Sequence, residues 1–469
     1  MNTFLLMHKN IEVLEIRKEP DMDYFQINSI INAEHLPVNM LGENKCNNHE
    51  LNQFLKHRVI PKSRPNIEKI KEYYQANSSY ELALPSYMVS IADHYWLCPE
   101  DKKQDLNWEK VNFYDNDFSL DLLFLSLDES SLDESERMNP TPNTTNNGSL
   151  PQMWTKKDSD LFFIKNGQRS FYQQPYNEAV ISDMMKIMNM PGVTYDLSYI
   201  TTADVSICPS FTNSRIEFIP AWQFVAKPKL NHESYYEYYL KEITECGMDQ
   251  ERARKQLEQM IILDFICVNE DRHWGNFGVL RDSDTLEYIG LAPIFDNGSS
   301  LGYMNLSIRN HQIYERSKSF GNTHQKELKY IRHMDMDMDL LDICDKIPDI
   351  LDRNYKKLRH PAFGEERVEE IYALLVERIH DMGKRKESKK AAIRVAKSIE
   401  EKKLEPGFDE KALPKDLQQD IQNWLDHQDD ERNWDVYHNE LYGTINMYQH
   451  AYVISEEVAD YLRKKYLGL

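Results

Sequence analysis

Three residues carry the clearest chemistry in the sequence. Asp271 and Asn276 share one short segment, Asp271-Arg272-His273-Trp274-Gly275-Asn276, and Asp296 follows twenty positions later in Phe295-Asp296-Asn297-Gly298. An Asp and an Asn on one loop supply a carboxylate for an attacking hydroxyl and an amide oxygen for a metal. A second Asp, at the end of a strand after a short hairpin, supplies the other metal contact. This set suits phosphoryl transfer, which needs positioning and charge neutralisation more than covalent chemistry. Its hard oxygens suit Mg²⁺. Taken singly, Asp271 would do as a turn cap and Asp296 as a turn opener. The three in order, after a long apolar helix, point to function. His273 reads as a residue that orders the loop rather than a base.

Phosphoryl transfer also asks for a lysine on the nucleotide phosphates and an acid to orient it. Lys165 ends the apolar run Leu161–Gly167, and Glu178 lies early in the helical pattern that follows. A lysine after an apolar strand is common, so Lys165 gains weight from its place upstream of Asp271. The turn Asn146-Asn147-Gly148-Ser149 precedes Lys165 as a phosphate-covering loop should, although it holds one glycine and not three.

The elements that must hold these residues follow from periodicity. Residues 1–125 mix alternating runs (Ile11 to Ile16) with helical stretches such as Asn66–Gln75, as in a small α/β unit. Residues 126–150, with SLDES twice in tandem, are poor in apolar residues and read as a mobile connection. Leu161–Gly167 reads as a strand. Pro175 opens a helix in which Met184, Ile187 and Met188 share a face. Ala203–Cys208 and Arg215–Phe218 read as strands that complete a small sheet with one crossing helix. Gln250–Cys267 is a long helix, and Asp282-Ser283-Asp284 turns a hairpin. Beyond it the pattern is mainly helical, with Glu365–Glu401 a charged helix facing water and Met334–Asp339 a solvated helix start. The expected division is residues 1–125, 126–227 with the phosphate loop, and 228–469 with the catalytic loop.

Composition narrows the classes. The chain has 469 residues, 56 Lys and Arg against 77 Asp and Glu, and a formal charge of −21. That balance argues against direct nucleic-acid binding and against docking on an anionic membrane surface. No apolar run is long enough to span a bilayer. The amino-terminal stretch lacks the longer apolar region of a secretory signal, so a cytoplasmic location is expected. Six scattered cysteines, without C-x-x-C, are expected to be free thiols.

NEDRHWGNFGVL together with APIFDNGSSL resembles the catalytic core of the HipA-like serine/threonine kinases, relatives of the phosphatidylinositol kinases. The resemblance spans roughly residues 140–330 and takes in TPNTTNNGSLPQMW, FFIKNG, the helix with Asn177-Glu178-Ala179, and Ser317–Leu328 as the end of the activation segment. It implies an α/β, two-lobed protein-kinase-like fold of the HipA type, with a small sheet-containing lobe and a large mainly helical one. It implies an ATP- and Mg²⁺-dependent serine/threonine-protein kinase. Asp271 would be the catalytic Asp, Asn276 and Asp296 the metal ligands. Lys165 and Glu178 would form the phosphate-binding pair, Asn147, Gly148 and Ser149 would cover the phosphates, and Glu217 stands in the stretch expected to meet the adenine. Autophosphorylation at Ser149, with Thr144 and Thr145 nearby, and an antitoxin-type regulator are further implications. One departure is Gln152, where family members often carry a lysine. The alternatives are a catalytically weak nucleotide-binding interaction module, for which Gln152 speaks, and a kinase acting on a lipid or small molecule.

Overall fold

The computed structural model describes residues 3–468 except 21, 43–44, 119–121, 126–138, 168–171, 201–202, 226–232, 306, 309–315, 322, 333–339, 358–363, 402–409 and 428–433. The tandem SLDES repeat, Met334–Asp339 and the expected boundary at 227/228 lie outside the described residues. The chain divides into two compact units, Met1–Arg378 and Ile379–Leu469.

The first unit opens with strands β1 (Thr3–His8), β2 (Ile11–Lys18) and β3 (Phe25–Ile30), then helices α1 (Asn48–Lys56), α2 (Ile67–Tyr74) and α3 (Ser79–Ala83), strand β4 (Tyr95–Pro99) and helix α4 (Trp108–Val111). The strands form an antiparallel sheet in the order β3-β2-β1-β4. Asn47, Ser78 and Asn107 cap α1, α3 and α4 by accepting from the backbone N–H three residues on. Leu14, Ile16, Phe25, Leu51 and Phe54 close the core between sheet and helices.

A second antiparallel sheet follows, ordered β5-β6-β8-β7, from β5 (Gln152–Lys157), β6 (Asp160–Asn166), β7 (Asp196–Ile200) and β8 (Ala203–Pro209). Helix α5 (Gln174–Ile187) connects β6 to β7 and carries its proline in the first turn, where a missing N–H costs nothing. The expected strand at Arg215–Phe218 exists as β9 (Ile216–Pro220), but it joins a different sheet. Helices α6 (Tyr235–Glu245) and α7 (Gln250–Cys267) come next, and the hairpin β10 (Gly278–Asp282) and β11 (Tyr288–Leu291) takes β9 as its third strand, ordered β11-β10-β9. The pairing of Gly278 with Pro220 and Val279 with Ile219 fixes the two acidic motifs against the segment below β8.

Helix α7 explains how the Asp271–Asn276 loop is held. Asp249 caps it by accepting from the Arg252 N–H at 2.7 Å. Its second half is buried nearly all round, so it lies in the centre of the unit rather than on its surface. It ends at Val268, whose φ of 51° turns the chain out into Asn269–Asn276. The unit continues with α8 (His324–Glu327), α9 (Leu340–Tyr355) and the start of α10 (Glu365–Glu401).

The second unit contains the rest of α10 with α11 (Lys415–His427), α12 (Trp434–His450) and α13 (Glu456–Leu462). Leu417, Ile421, Trp424, Leu441, Ile445 and Leu462 make its own core. The cysteines are free. Among the described residues no helix is long and apolar enough to cross a membrane.

Candidate active site

A cleft of about 780 Å³ lies within the first unit. Seven of the nine residues singled out from the sequence line it: Asn147, Gly148, Ser149, Lys165, Asp271, Asn276 and Asp296. Glu178 lies directly behind them. Glu217 does not line the cleft.

Lys165 sits on β6, opposite Gln152 of β5 and Ser206 of β8. Its ammonium is 2.5 Å from Asp296 Oδ1 and 3.4 Å from Glu178 Oε1. Burial alone would lower the lysine, but the Asp296 and Glu178 carboxylates outweigh it and hold the ammonium charged. The same lysine holds Asp296 below the usual carboxylate range against the effect of burial. Burial dominates at Glu178 and raises it, because its ammonium partner is more distant. Glu178 also accepts from the Asn297 N–H at 2.8 Å, which ties α5 to the second acidic motif. Gly298 lets that approach happen, since a Cβ there would stand 3.1 Å from Gln174 Cβ and 3.3 Å from Glu178 Oε1. Asp296 itself has a φ of 58°, in the left-handed region, and its N–H donates to the Tyr195 hydroxyl at 3.2 Å. Backbone held in a sparsely populated conformation persists where its surroundings over-determine it.

The Asp271–Asn276 loop is stapled by a residue that its motif alone does not single out, Arg272. Arg272 is fully buried and makes five bonds of 3.0 Å or less. Its guanidinium donates to Asp264 of α7 through two nitrogens, to the Asn276 and Phe295 carbonyls, and to Asn297 Oδ1. One side chain thus joins the helix, the Asp271–Asn276 loop and the Asp296 segment. The available signal was Asp264, an acid flanked by Leu263 and Phe265 in an apolar helix, which needs a buried cation. His273 Nδ1 accepts from the Gly275 N–H at 3.0 Å, a loop-ordering bond of the expected kind. Asn276 donates its amide to the Asp271 carbonyl at 2.9 Å, which directs its amide oxygen away from that bond as a hard donor.

Asp271 meets Lys318, whose ammonium lies 2.5 Å from Oδ1 and is itself more than half exposed. Lys318 belongs to the segment at Ser317–Leu328. Glu327 closes that segment by accepting from the Ser317 and Ser319 hydroxyls and from the Phe320 and Gly321 N–H groups.

The turn Asn146–Ser149 is braced by hydrogen bonds. Gln152 Nε2 donates to Asn146 Oδ1 at 3.0 Å and to the Asn147 carbonyl at 2.8 Å. Gly148 has a φ of 143°, which favours glycine, and a Cβ there would fall 2.1 Å from Gln152 Nε2 and displace the bracing amide. Thr144 and Thr145 are buried with their hydroxyls donating to Ser86 Oγ and the Val89 carbonyl, whereas Ser149 is exposed.

Glu217 corrects the expectation placed on it. The alternation of β9 lines the cleft with Phe218 and Pro220 and sends Glu217 to the other side. There its buried carboxylate takes Arg281 Nε at 2.7 Å and His8 Nε2 at 3.3 Å. Burial would raise it, but Arg281 and then His8 hold it well below the carboxylate range. His8, His94 and Glu217 have ligand atoms within 4.8 Å of one another. The guanidinium already neutralises this carboxylate, and the His94 N–H donates to its second oxygen at 3.3 Å. The cluster therefore reads as a charge network joining β1 and β9 rather than a metal centre.

Residues 134–378, just over half of the chain, match the model of the HipA-like C-terminal domain, and the chain belongs to that family. Its sheet-containing amino-terminal region and mainly helical carboxy-terminal region are the two parts of the expected fold. No curated protein is detectably similar in sequence. The solved structures that are distantly similar include two of this kind of fold. The proinflammatory kinase CtkA of Helicobacter pylori is 21% identical, with 50% of this chain and 94% of that chain covered and a TM-score of 0.40. HipA of Shewanella oneidensis MR-1, solved with HipB and operator DNA as a toxin–antitoxin system, is 11% identical, with 81% and 97% covered and a TM-score of 0.47.

Proposed function

We propose that the cleft binds ATP with Mg²⁺ and transfers the γ-phosphoryl group to a serine or threonine hydroxyl of a protein. The observation that carries this reading is the convergence of Lys165, Glu178 and Asp296 on one ion cluster in the cleft that Asp271 and Asn276 also line. Asn276 and Asp296 offer hard oxygens to one region, which fits Mg²⁺, and these two would hold it. When bound, the ion would offset phosphate charge. Lys165 would hold the phosphates, with Glu178 fixing its ammonium. Asp271 would orient the acceptor hydroxyl and accept its proton, and Lys318 would have to release that carboxylate first. Phe218, Pro220 and Val193 give the apolar end of the cleft suited to a base. Residues 126–227 are read as the nucleotide-side lobe, and an antitoxin-type partner belongs to the proposal through family membership alone. Gln152 loses its force as a sign of degeneracy, because it braces the loop.

Ser149 is the proposed autophosphorylation site, being exposed where Thr141, Thr144 and Thr145 are buried. A phosphate there would put about two negative charges beside the nucleotide phosphates and shut the site. Phosphatase-treated protein given ATP and Mg²⁺ is expected to gain phosphate at Ser149, read by phosphopeptide mapping. Ser149→Ala should lose that label and keep transfer to proteins of a cell extract. Starting material of unphosphorylated intact mass that labels neither itself nor the extract would contradict the reading.

A further inference from the structure

We propose that Arg64 is a positioning residue for the phosphate loop: it fixes, from the amino-terminal region, the loop conformation that takes up the phosphates of a nucleoside triphosphate. The inference rests on the nucleotide reading of the cleft. Arg64 follows a turn at Pro61, just ahead of α2, and is 1% exposed. Its Nη2 donates to the Asn146 carbonyl at 2.6 Å and its Nε to the Gly148 carbonyl at 3.0 Å. Gln152 takes the carbonyl between them, that of Asn147. Three successive carbonyls are therefore tied back.

In a trans peptide the N–H points opposite to the C=O. Tying back those three carbonyls turns the N–H groups of Asn147, Gly148 and Ser149 away from the anchors. Those residues line the cleft, and the N–H groups of Asn147 and Ser149, turned from Arg64, are placed to seat an anion there. Arg64 itself does not line the cleft, so it acts through the loop.

The charge balance points the same way. Arg64 donates to carbonyls, and no carboxylate pairs with it among the described residues. Its Nη1 is buried and has no partner among them. Burying an unpaired cation is costly, and burial draws Arg64 down to about 9. An anion arriving on the far side of the loop would offset that charge. The rest of the loop is moored to the same region, with the Thr141 N–H on Ser86 Oγ at 3.0 Å and the Thr145 hydroxyl on the Val89 carbonyl at 2.5 Å. Residues 58–93 thereby acquire a task, the shaping of the phosphate loop.

The test is equilibrium binding of ATP with Mg²⁺ to the phosphatase-treated full chain, with the unliganded thermal midpoint as a control on folding. Arg64→Met is expected to weaken ATP binding about ten-fold or more, the scale of a lost charge-assisted bond, and to leave the midpoint near that of the wild type. Arg64→Lys, which keeps the charge but can serve one carbonyl, should recover part of the loss. If Arg64→Met fails to fold, Arg64→Lys decides, with a loss of about three-fold or more expected. Variants that bind ATP as the wild type does would overturn the role of Arg64 and leave the nucleotide reading intact. A wild type that does not bind ATP would overturn the nucleotide reading, and this inference with it.

Discussion

Asp296→Ala is expected to reduce phosphoryl transfer by about a hundred- to a thousand-fold or more, the cost of losing one preorganised charge-stabilising group. Two losses combine. The substitution removes a proposed metal ligand, and it strips Lys165 of the carboxylate 2.5 Å from its ammonium. Lys165 would then have only Glu178, at 3.4 Å, and would be free to turn from the phosphates. Asp296→Asn separates the two effects, since it keeps the shape and one acceptor oxygen without the charge. Both variants are expected to stay folded, because the Asp296 side chain is partly open to the cleft. Transfer by either variant at more than a tenth of the wild-type rate would remove Asp296 from the machinery.

Arg272→Met is expected to cost about 3–5 kcal/mol of stability, the usual penalty for leaving one charge of a buried pair alone. Asp264 would keep Asn269 Nδ2, at 3.1 Å, as its remaining side-chain donor. The Asn276 and Phe295 carbonyls would lose their shared anchor, so transfer should vanish as well. Arg272→Lys should not rescue it, because one ammonium cannot span Asp264, two carbonyls and Asn297. Adding Asp264→Leu to Arg272→Met should restore much of the stability, since replacing a whole buried pair by apolar groups is often neutral. It should not restore activity. The measurement is denaturant unfolding of the full chain, beside the labelling assay. An Arg272→Met chain as stable and active as the wild type would refute the stapling role.

The parts of the site legible in the sequence were those carried by short motifs. Asp271 and Asn276 lie on one loop, Asp296 follows one hairpin later, and Lys165 and Glu178 lie on adjacent elements, so local spacing nearly determines their geometry. Helix α7 and hairpin β10–β11 were legible for the same reason, through apolar periodicity and an Asp-rich turn. What escaped depends on contacts between distant segments. Strand β9 reads correctly as a strand, yet its partner β10 lies some sixty residues further on, so local signals group it with β8 where the structure pairs it with β10. Glu217 followed that error, because the face on which a strand residue lies is set by the sheet it joins. Arg272 and Arg64 look like ordinary surface cations in sequence. Their burial comes from Asp264 in one case and from loop carbonyls more than eighty residues away in the other.

The central claim is that this cleft transfers the γ-phosphoryl group of ATP with Asp271 at the acceptor. Its most direct test is incubation of phosphatase-treated wild type and Asp271→Ala with γ-labelled ATP and Mg²⁺, with label located by mass spectrometry on the protein and on an added cell extract. The account predicts label on serine or threonine in the wild-type reaction and none above background with Asp271→Ala, although both bind ATP. Equal labelling by the two proteins, or ATP binding without label in either reaction, would contradict it.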